Sequence, residues 1–122
     1  MDYSILILYL LLQKILRYEE GIFLKIKSLI FYKFNSNKEL KNAVDLYTNE
    51  DTFNSAFKKY FHISLWDTSL ITNMNELFYL KKNFNENINC WDVSNVTEMI
   101  SMFEYCENFN QNLNNWDVSK VE

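Results

Sequence analysis

The feature that most constrains how this chain can fold is a sequence period of 25 residues, marked by three tryptophans. Trp66, Trp91 and Trp116 each open a W-D-x-S pattern, and the segments 66–90 and 91–115 align without a gap. Apart from asparagines, the aligned segments agree at seven positions: Trp66/Trp91, Asp67/Asp92, Ser69/Ser94, Thr72/Thr97, Met74/Met99, Phe78/Phe103 and Phe84/Phe109. A fixed period of this size is typical of a repeat whose units stack on one another. We name 66–90 unit 1 and 91–115 unit 2; residues 116–122 begin a third, partial unit.

The composition argues against several classes of function. The chain has 122 residues, enough for one domain, and its formal net charge of −4 leaves no basic stripe to neutralise a nucleic acid. Glycine occurs once and proline never, so a glycine-rich phosphate-binding loop is absent. Cys90 and Cys106 occupy different positions of the repeat and lack the spacing of a zinc site. We therefore predict two buried apolar cysteines, no metal and no cofactor, and a single disulfide in an oxidising compartment is an alternative that stays open.

Residues 1–35 differ in character from the rest of the chain and are predicted to form an apolar, helical N-terminal segment. The apolar run over 5–12 is shorter than the roughly 20 residues that span a bilayer. An acidic residue, Asp2, precedes the run where a secretion signal would carry basic residues. These features favour a buried helix, and a membrane contact through residues 3–16 is the alternative that stays open.

Residues 36–60 carry the signals of two helices. Ser36 is a typical N-cap residue, and Glu39 follows three positions later, which is the spacing of a capping box before an apolar helical stripe. A second helix is predicted over 51–60. Because both helices directly precede the repeat, we interpret 36–60 as a helical cap on a repeat region that spans 61–122.

Within each unit the apolar pattern changes from an extended period to a helical one. An apolar residue stands three positions before each tryptophan, which predicts a short strand. Thr72 and Thr97 then stand where a helix N-cap is expected, and Asn83 and Asn108 where a left-handed residue would end that helix. One short parallel strand and one short helix per repeat define an α/β fold whose stacked units share a core. The predicted core positions are Trp66, Met74, Phe78, Phe84, Trp91, Met99, Met102, Phe103, Cys106, Phe109 and Trp116.

Acidic and amide side chains recur at the period of the repeat. Asp67, Asp92 and Asp117 could together bind Ca²⁺, or each could accept backbone N–H groups in its own turn. We favour the local turns, because calcium sites draw oxygens from several different positions. The asparagine pairs 85/110 and 87/112 are likewise predicted to satisfy backbone groups between layers.

Residues 36–122 resemble the BspA-like leucine-rich-repeat surface proteins. The repeat of that family is similar to W-D-V-S-x-V-x-x-M-x-x-M-F-x-x-C-x-x-F-N-Q-x-[LI], and unit 2 follows it from Trp91 to Leu113. Unit 1 departs from that pattern at Thr68, Leu77, Lys81 and Glu86. The resemblance implies a short leucine-rich-repeat-like solenoid behind the N-terminal helical cap. It also implies a binding or surface role and brings no catalytic residues.

The predicted function is a non-catalytic repeat module for protein–protein interaction or surface adhesion, with an unknown protein partner. Its candidate contact surface consists of side chains that differ between equivalent positions of the two units: Asn75, Glu76, Tyr79, Lys82, Ile100, Ser101, Glu104 and Glu107. The compartment stays open, since the resemblance allows a cell-surface or secreted protein and no signal peptide is evident.

Two alternative functions stay open at this point. The chain could be a truncated or degenerate repeat protein without independent function, whose open C-terminal edge near 113–118 would favour self-association. It could also be an enzyme, although the single histidine, His62, has no catalytic partner at a recognisable spacing.

Overall fold

The part of the chain that the computed structural model describes consists of residues 7, 10, 11 and 31–122. Its helices are α1 (Asn37–Tyr47), α2 (Phe53–Tyr60) and a short 3-10 helix over Ile63–Leu65. Most of the predicted N-terminal segment lies outside the described residues. Residues 7, 10 and 11 are helical, and their side chains are about half exposed rather than buried. No helix among the described residues is long and apolar enough to cross a membrane.

The start of α1 is fixed by Ser36, as the capping-box spacing predicts. Ser36 Oγ accepts the backbone N–H of Glu39 at 3.1 Å, a contact worth about 1 kcal/mol at a helix N-terminus. Glu39 Oε2 in turn accepts the N–H of Asn35 at 2.9 Å, one residue before the usual partner. The Tyr32 hydroxyl donates to the other carboxylate oxygen at 2.5 Å. The segment that enters α1 is therefore tied to its first turn.

Helix α1 packs against unit 1 and satisfies part of its backbone. The buried face of α1 consists of Leu40, Ala43, Val44 and Tyr47. Asn37 Oδ1 accepts the N–H of Thr72 at 3.1 Å, and Lys41 Nζ donates to the backbone oxygen of Glu76 at 2.7 Å. The side of unit 1 that faces α1 is thus covered by this helix.

The predicted α/β architecture is wrong. Within residues 31–122 the structure contains no strand, and isolated parallel bridges join Lys33 to Asp67 and Asn73 to Glu98. Neither unit contains an α-helix, so the strand-plus-helix solenoid is not formed and Thr72 and Thr97 cap no helix. Each unit is instead a coil of successive turns.

Residues of positive φ explain why the units do not form helices. φ is 54° at Glu76 and 61° at Leu80, and one repeat later it is 51° at Ser101 and 59° at Tyr105. A left-handed residue interrupts a right-handed helix, and two occur in each unit. No asparagine among the described residues has a positive φ, so the left-handed positions predicted at Asn83 and Asn108 are also wrong.

The helical spacing of apolar residues has a different cause in this fold. Consecutive turns are closed by bonds such as Leu77 N–H to Met74 O at 3.3 Å and Lys81 N–H to Phe78 O at 2.9 Å. Such turns bring every third or fourth side chain to one side, as a helix does. The apolar period therefore identified the inward residues and not the backbone conformation.

Unit 2 lies on unit 1 in parallel register. Four N–H groups of unit 1 donate to unit 2 at 2.8–3.0 Å: Met74 to Glu98 O, Glu76 to Ile100 O, Phe78 to Met102 O and Leu80 to Glu104 O. Aromatic rings repeat the same register, with centroid distances of 6.1 Å for Trp66/Trp91, 5.5 Å for Phe78/Phe103 and 5.7 Å for Phe84/Phe109. Each of these three rings of unit 1 is therefore covered by its equivalent in unit 2.

The core is densest between the helices and unit 1. Of the predicted core positions, the structure buries Trp66, Met74, Phe78, Phe84, Trp91 and Met102. The others, which are Met99, Phe103, Cys106, Phe109 and Trp116, are partly buried against that core. Most of these belong to the outer side of unit 2, which the described residues cover less completely.

Candidate functional site

The predicted contact side chains lie on the two stacked coils but do not form one free surface. Exposed members are Glu76, Lys82, Ile100, Glu104 and Glu107, and half-buried members are Asn75, Tyr79 and Ser101. Glu76 and Ser101 are also left-handed positions, so the conformation of the coil limits which residues can replace them.

Asn75 joins the two units rather than facing a partner. Its Oδ1 accepts the N–H of Ile100 at 2.7 Å, and its Nδ2 donates to Glu98 Oε2 at 2.7 Å. Asn73 Nδ2 donates to the same carboxylate oxygen at 3.0 Å. A role for Glu98 was not predicted from the sequence. Its equivalent in unit 1 is Asn73, and this difference between the units is the sequence feature that could have indicated the contact.

An exposed apolar surface crosses the two coils beside these contacts. Leu80 is 52% exposed and Tyr105 is 55% exposed. The N–H of Leu80 donates to Glu104 O, and the rings of Tyr79 and Tyr105 lie 5.8 Å apart in an edge contact. We name Tyr79, Leu80 and Tyr105 the lateral patch. Ile100, which is 66% exposed, lies on the same coil as Tyr105.

Charged side chains lie near the lateral patch in sequence, and one pair of them also joins the units. Lys82 Nζ lies 3.2 Å from Glu107 Oε1, and both side chains are more than half exposed. An ion pair this open to solvent contributes little to stability. Its residues are therefore available to a partner at small cost.

The aspartates serve local turns, as favoured from the sequence. Asp67, Asp92 and Asp117 each accept, at 3.0 Å, the backbone N–H of the serine two residues later. Asp92 Oδ1 also accepts the Ser94 hydroxyl at 2.6 Å. Hydrogen bonds from the Ser119 hydroxyl and N–H lower the pKa of Asp117. Among the described residues, no group of three or more His, Cys, Asp or Glu side chains is placed to hold a metal ion.

One of the two predicted asparagine pairs connects the layers. Asn85 Oδ1 accepts the N–H of Asn110 at 2.9 Å and one N–H of the Gln111 amide, also at 2.9 Å. The pair 87/112 does not connect the layers. Asn87 and Asn112 each accept an N–H from two residues further along their own coil.

His62 has partners that the sequence did not reveal. Its Nδ1 lies 2.7 Å from Ser64 Oγ and accepts the backbone N–H of Ser64 at 3.2 Å, while its Nε2 lies 3.5 Å from Glu86 Oε2. The hydrogen bond from His62 lowers the pKa of the Glu86 carboxyl. The sequence feature that could have indicated this contact is Glu86, which occupies the position of glutamine in the BspA-like repeat pattern.

His62 is also the N-cap residue of the 3-10 helix that follows it. The Nδ1 atom that faces the Ser64 hydroxyl accepts the N–H of Ser64, the second residue of the 3-10 helix. An open depression of about 280 Å³ is lined by Tyr47, Thr48, Asn49, Glu50 and Phe53. The Tyr47 ring makes an edge contact with the His62 ring at a centroid distance of 6.4 Å. The Thr48 hydroxyl there donates to Val44 O at 2.8 Å, so it is engaged in its own helix end.

The two cysteines have different environments. Cys106 is half-buried, and its thiol donates to Phe78 O at 2.8 Å, which adds a contact between the units. Burial raises the pKa of this thiol. Cys90 is exposed, so the prediction that it is buried is wrong.

Fold and contacts together define a protein of two stacked, hydrogen-bonded coils behind a pair of helices, with an apolar lateral patch. The chain belongs to the family described as "Mycoplasma protein of unknown function, DUF285", whose model matches residues 46–122, more than half of the chain. This family of unknown function is related to the BspA-like proteins. No curated protein and no solved structure matches the chain.

Proposed function

We propose that this chain is a non-catalytic module that binds another protein through the lateral patch, and that its period is a form of the BspA-like repeat. The observation that carries the proposal is the exposure of Leu80 and Tyr105, at 52% and 55%, beside each other on two stacked coils. A group of adjacent large apolar side chains that stay exposed to solvent is a common sign of a protein-binding surface. The family resemblance supports adhesion at a surface as the setting of this binding.

The arrangement suits recognition for a second reason. The patch stands on a backbone fixed by hydrogen bonds between units, such as Leu80 N–H to Glu104 O at 3.0 Å. A rigid surface loses little conformational freedom when a partner binds. Tyrosine adds a hydroxyl that can hydrogen-bond at the rim of such a contact.

The test compares partners captured by the full chain and by a variant with Leu80→Asn and Tyr105→Asn. Both positions have positive φ, which asparagine tolerates well, so the double variant keeps the backbone while it removes the apolar surface. The matched control is Leu70→Asn, at a residue 50% exposed in another part of unit 1. Each purified variant is used to capture proteins from cells that produce the chain.

The expected result is a defined protein captured by the wild type and by the Leu70 variant and lost with the double variant. Binding of that purified protein should weaken by about tenfold or more in the double variant, the size expected for loss of an interface anchor. Identical capture by all three proteins would contradict the proposal.

A further inference from the structure

Negative charge is concentrated on the coil that carries Tyr105. Unit 2 contains no lysine, arginine or histidine, and its acidic residues are Asp92, Glu98, Glu104 and Glu107. Unit 1 contains three acidic residues, which two lysines partly offset. A partner that contacts the lateral patch therefore meets a more acidic environment on unit 2 than on unit 1.

Two of the unit 2 carboxylates border the lateral patch. Glu104 directly precedes Tyr105 in the chain, and its backbone oxygen accepts the N–H of Leu80 at 3.0 Å. Glu107 lies two residues after Tyr105, and its Oε1 atom is 3.2 Å from Lys82 Nζ in a pair that is open to solvent. Both glutamates are exposed, so both carboxylates are accessible to a cationic group of a partner.

The lysines on the α1 side of unit 1 are engaged within the molecule. Lys81 Nζ lies 2.9 Å from Asp45 Oδ1, and Lys41 Nζ lies 3.6 Å from the same oxygen. Lys41 Nζ also donates to the backbone oxygens of Glu76 and Leu77, at 2.7 and 3.2 Å. Their charges are therefore offset by Asp45 and by carbonyl groups rather than by the carboxylates of unit 2.

The exposure of the patch is a property of the position in the repeat. Leu80 belongs to unit 1, which contacts α1 on one side and unit 2 on the other, and it is still 52% exposed. Its equivalent, Tyr105, has the same left-handed backbone, with φ of 59° against 61°. Side chains at this position therefore extend sideways from the stack, and layers on both sides of a unit leave them open.

Arginine has the chemistry that suits these surroundings. Its planar guanidinium can donate two hydrogen bonds to one carboxylate and can stack on the face of a tyrosine ring. Tyr105 is 55% exposed and is adjacent in the chain to Glu104, while Ile100, on the same coil, is 66% exposed and offers an apolar contact. The patch therefore fits a segment in which arginine stands next to large apolar side chains.

Anionic partners and a second copy fit the patch less well. A nucleic acid or an acidic lipid surface would bring negative charge against the carboxylates of unit 2. A second copy has the same formal net charge of −4, and its sequence contains a single arginine, Arg17. The occupant with complementary charge is therefore a basic segment of a different protein.

We infer that the lateral patch recognises an arginine-containing apolar segment of another protein. An arginine of that segment pairs with Glu104 or Glu107, and its apolar side chains contact Leu80 and Ile100. This inference rests on the binding role proposed for the patch, and it adds the chemistry of the partner.

The test selects peptides from a phage library of random sequences on the immobilised intact chain. The double variant with Leu80→Asn and Tyr105→Asn is used in parallel, so that peptides that need the patch are separated from the rest. Among these patch-dependent peptides, arginine should be enriched over the input library and should stand next to aromatic or aliphatic residues. Replacement of that arginine by lysine in the tightest peptide should weaken binding about threefold or more in fluorescence anisotropy, because lysine lacks the bidentate geometry.

A pair of charge variants tests the role of the carboxylates. Glu104→Gln with Glu107→Gln removes two negative charges and keeps both side chains close to their original size. The matched control is Glu50→Gln with Asp51→Asn, which makes the same change of charge at exposed residues between α1 and α2. The first variant should bind the tightest peptide about fivefold more weakly, and the control should bind it within about twofold of the wild type.

Two results would overturn the inference and leave the proposed function intact. They are patch-dependent peptides without enrichment of arginine, and equal binding of the tightest peptide by both charge variants. A lack of patch-dependent peptides would count against the binding role of the patch itself, and the inference would fall with it. A dimer of the intact chain in sedimentation equilibrium that the Leu80/Tyr105 double variant abolishes would make a second copy the occupant, which also overturns the inference.

Discussion

The indole N–H of Trp91 donates to the backbone oxygen of Ile63 at 2.8 Å, and the Trp116 indole repeats the contact to Ile88 at 3.0 Å. In each case the tryptophan of one layer satisfies a carbonyl group of the layer before it. The Trp66 indole instead donates to Phe61 O, only five residues earlier, at 3.4 Å. Trp91 and Trp116 therefore do more than fill the core, because each also fixes the register of its layer on the one before.

Replacement of Trp91 by phenylalanine should destabilise the chain more than the same change at Trp116. Trp91 is 2% exposed, so Trp91→Phe removes the shorter of two hydrogen bonds to the Ile63 oxygen, which keeps the Trp66 N–H at 3.3 Å, and also opens a small cavity. We expect a loss of roughly 2 kcal/mol in the free energy of unfolding at Trp91, and about half of that at half-buried Trp116. Urea unfolding followed by circular dichroism measures both losses, and equal losses would contradict the role of burial.

Glycine at position 80 should stabilise the chain. Leu80 has φ of 61° and is half exposed, so Leu80→Gly relieves a left-handed conformation while it removes little buried surface. Glycine also adds conformational entropy to the unfolded state, which offsets part of this gain. The net increase in the free energy of unfolding should be roughly 0.5 kcal/mol. The control is Leu70→Gly, at an equally exposed residue without positive φ, which should destabilise. Loss of stability in both variants would contradict the conformational argument.

Alkaline pH should destabilise the chain through its buried tyrosines. Burial raises the pKa of Tyr47 from 10.0 to about 12. Because the pKa is higher in the folded chain than in the unfolded one, the contribution to stability is complete below pH 10 and is lost as pH rises toward 12. Tyr47→Phe should reduce this slope in the free energy of unfolding between those pH values. An unchanged slope in the variant would contradict the assignment to Tyr47.

Acid should act on the cap of α1. Hydrogen bonds from the Tyr32 hydroxyl and the Asn35 N–H lower the pKa of Glu39 below its ordinary value of 4.5. A depressed carboxyl pKa contributes stability that is present above the unfolded value and is lost as pH falls through the folded value. Glu39→Gln should therefore flatten the pH dependence of stability below about pH 5. The control is Glu50→Gln, at an exposed residue outside this network, which should keep the wild-type slope.

Calcium should not stabilise the chain. The carboxylates of Asp67, Asp92 and Asp117 each accept a backbone N–H in their own turn, which leaves no converging set of oxygens for a cation. Added millimolar Ca²⁺ should leave the midpoint of thermal unfolding unchanged, since a ligand of the folded state would raise it. A calcium-dependent rise that Asp92→Asn abolishes would restore the alternative of a calcium site.

Several features of the fold followed from the sequence because they depend on local chemistry. Ser36 caps α1 as its spacing from Glu39 predicts, and the aspartates accept N–H groups in the turns that they begin. The period also predicted which aromatic residues lie against each other, including Phe78 and Phe103. Each of these features depends on few residues and on one dominant interaction, so it could be predicted from the sequence.

The features that sequence reasoning missed depend on contacts between distant residues. The coil that replaces the predicted helix is fixed by bonds such as Phe78 N–H to Met102 O, and no local propensity reveals such a bond. The left-handed residues of the two units are Glu76, Leu80 and their equivalents, which have no intrinsic preference for positive φ, so the prediction of left-handed asparagines was wrong. Glu98 and the partners of His62 were missed for the same reason.

Native-state hydrogen exchange tests whether unit 2 covers the backbone donors of unit 1 in register. We expect slow exchange for the N–H groups of Glu76, Phe78 and Leu80, whose acceptors lie in unit 2 at 2.8–3.0 Å. Their equivalents Ser101, Phe103 and Tyr105 should exchange at rates near those of an unprotected chain. Equal protection of the two rows, or fast exchange in both, would contradict the stacked register from which the proposals above are argued.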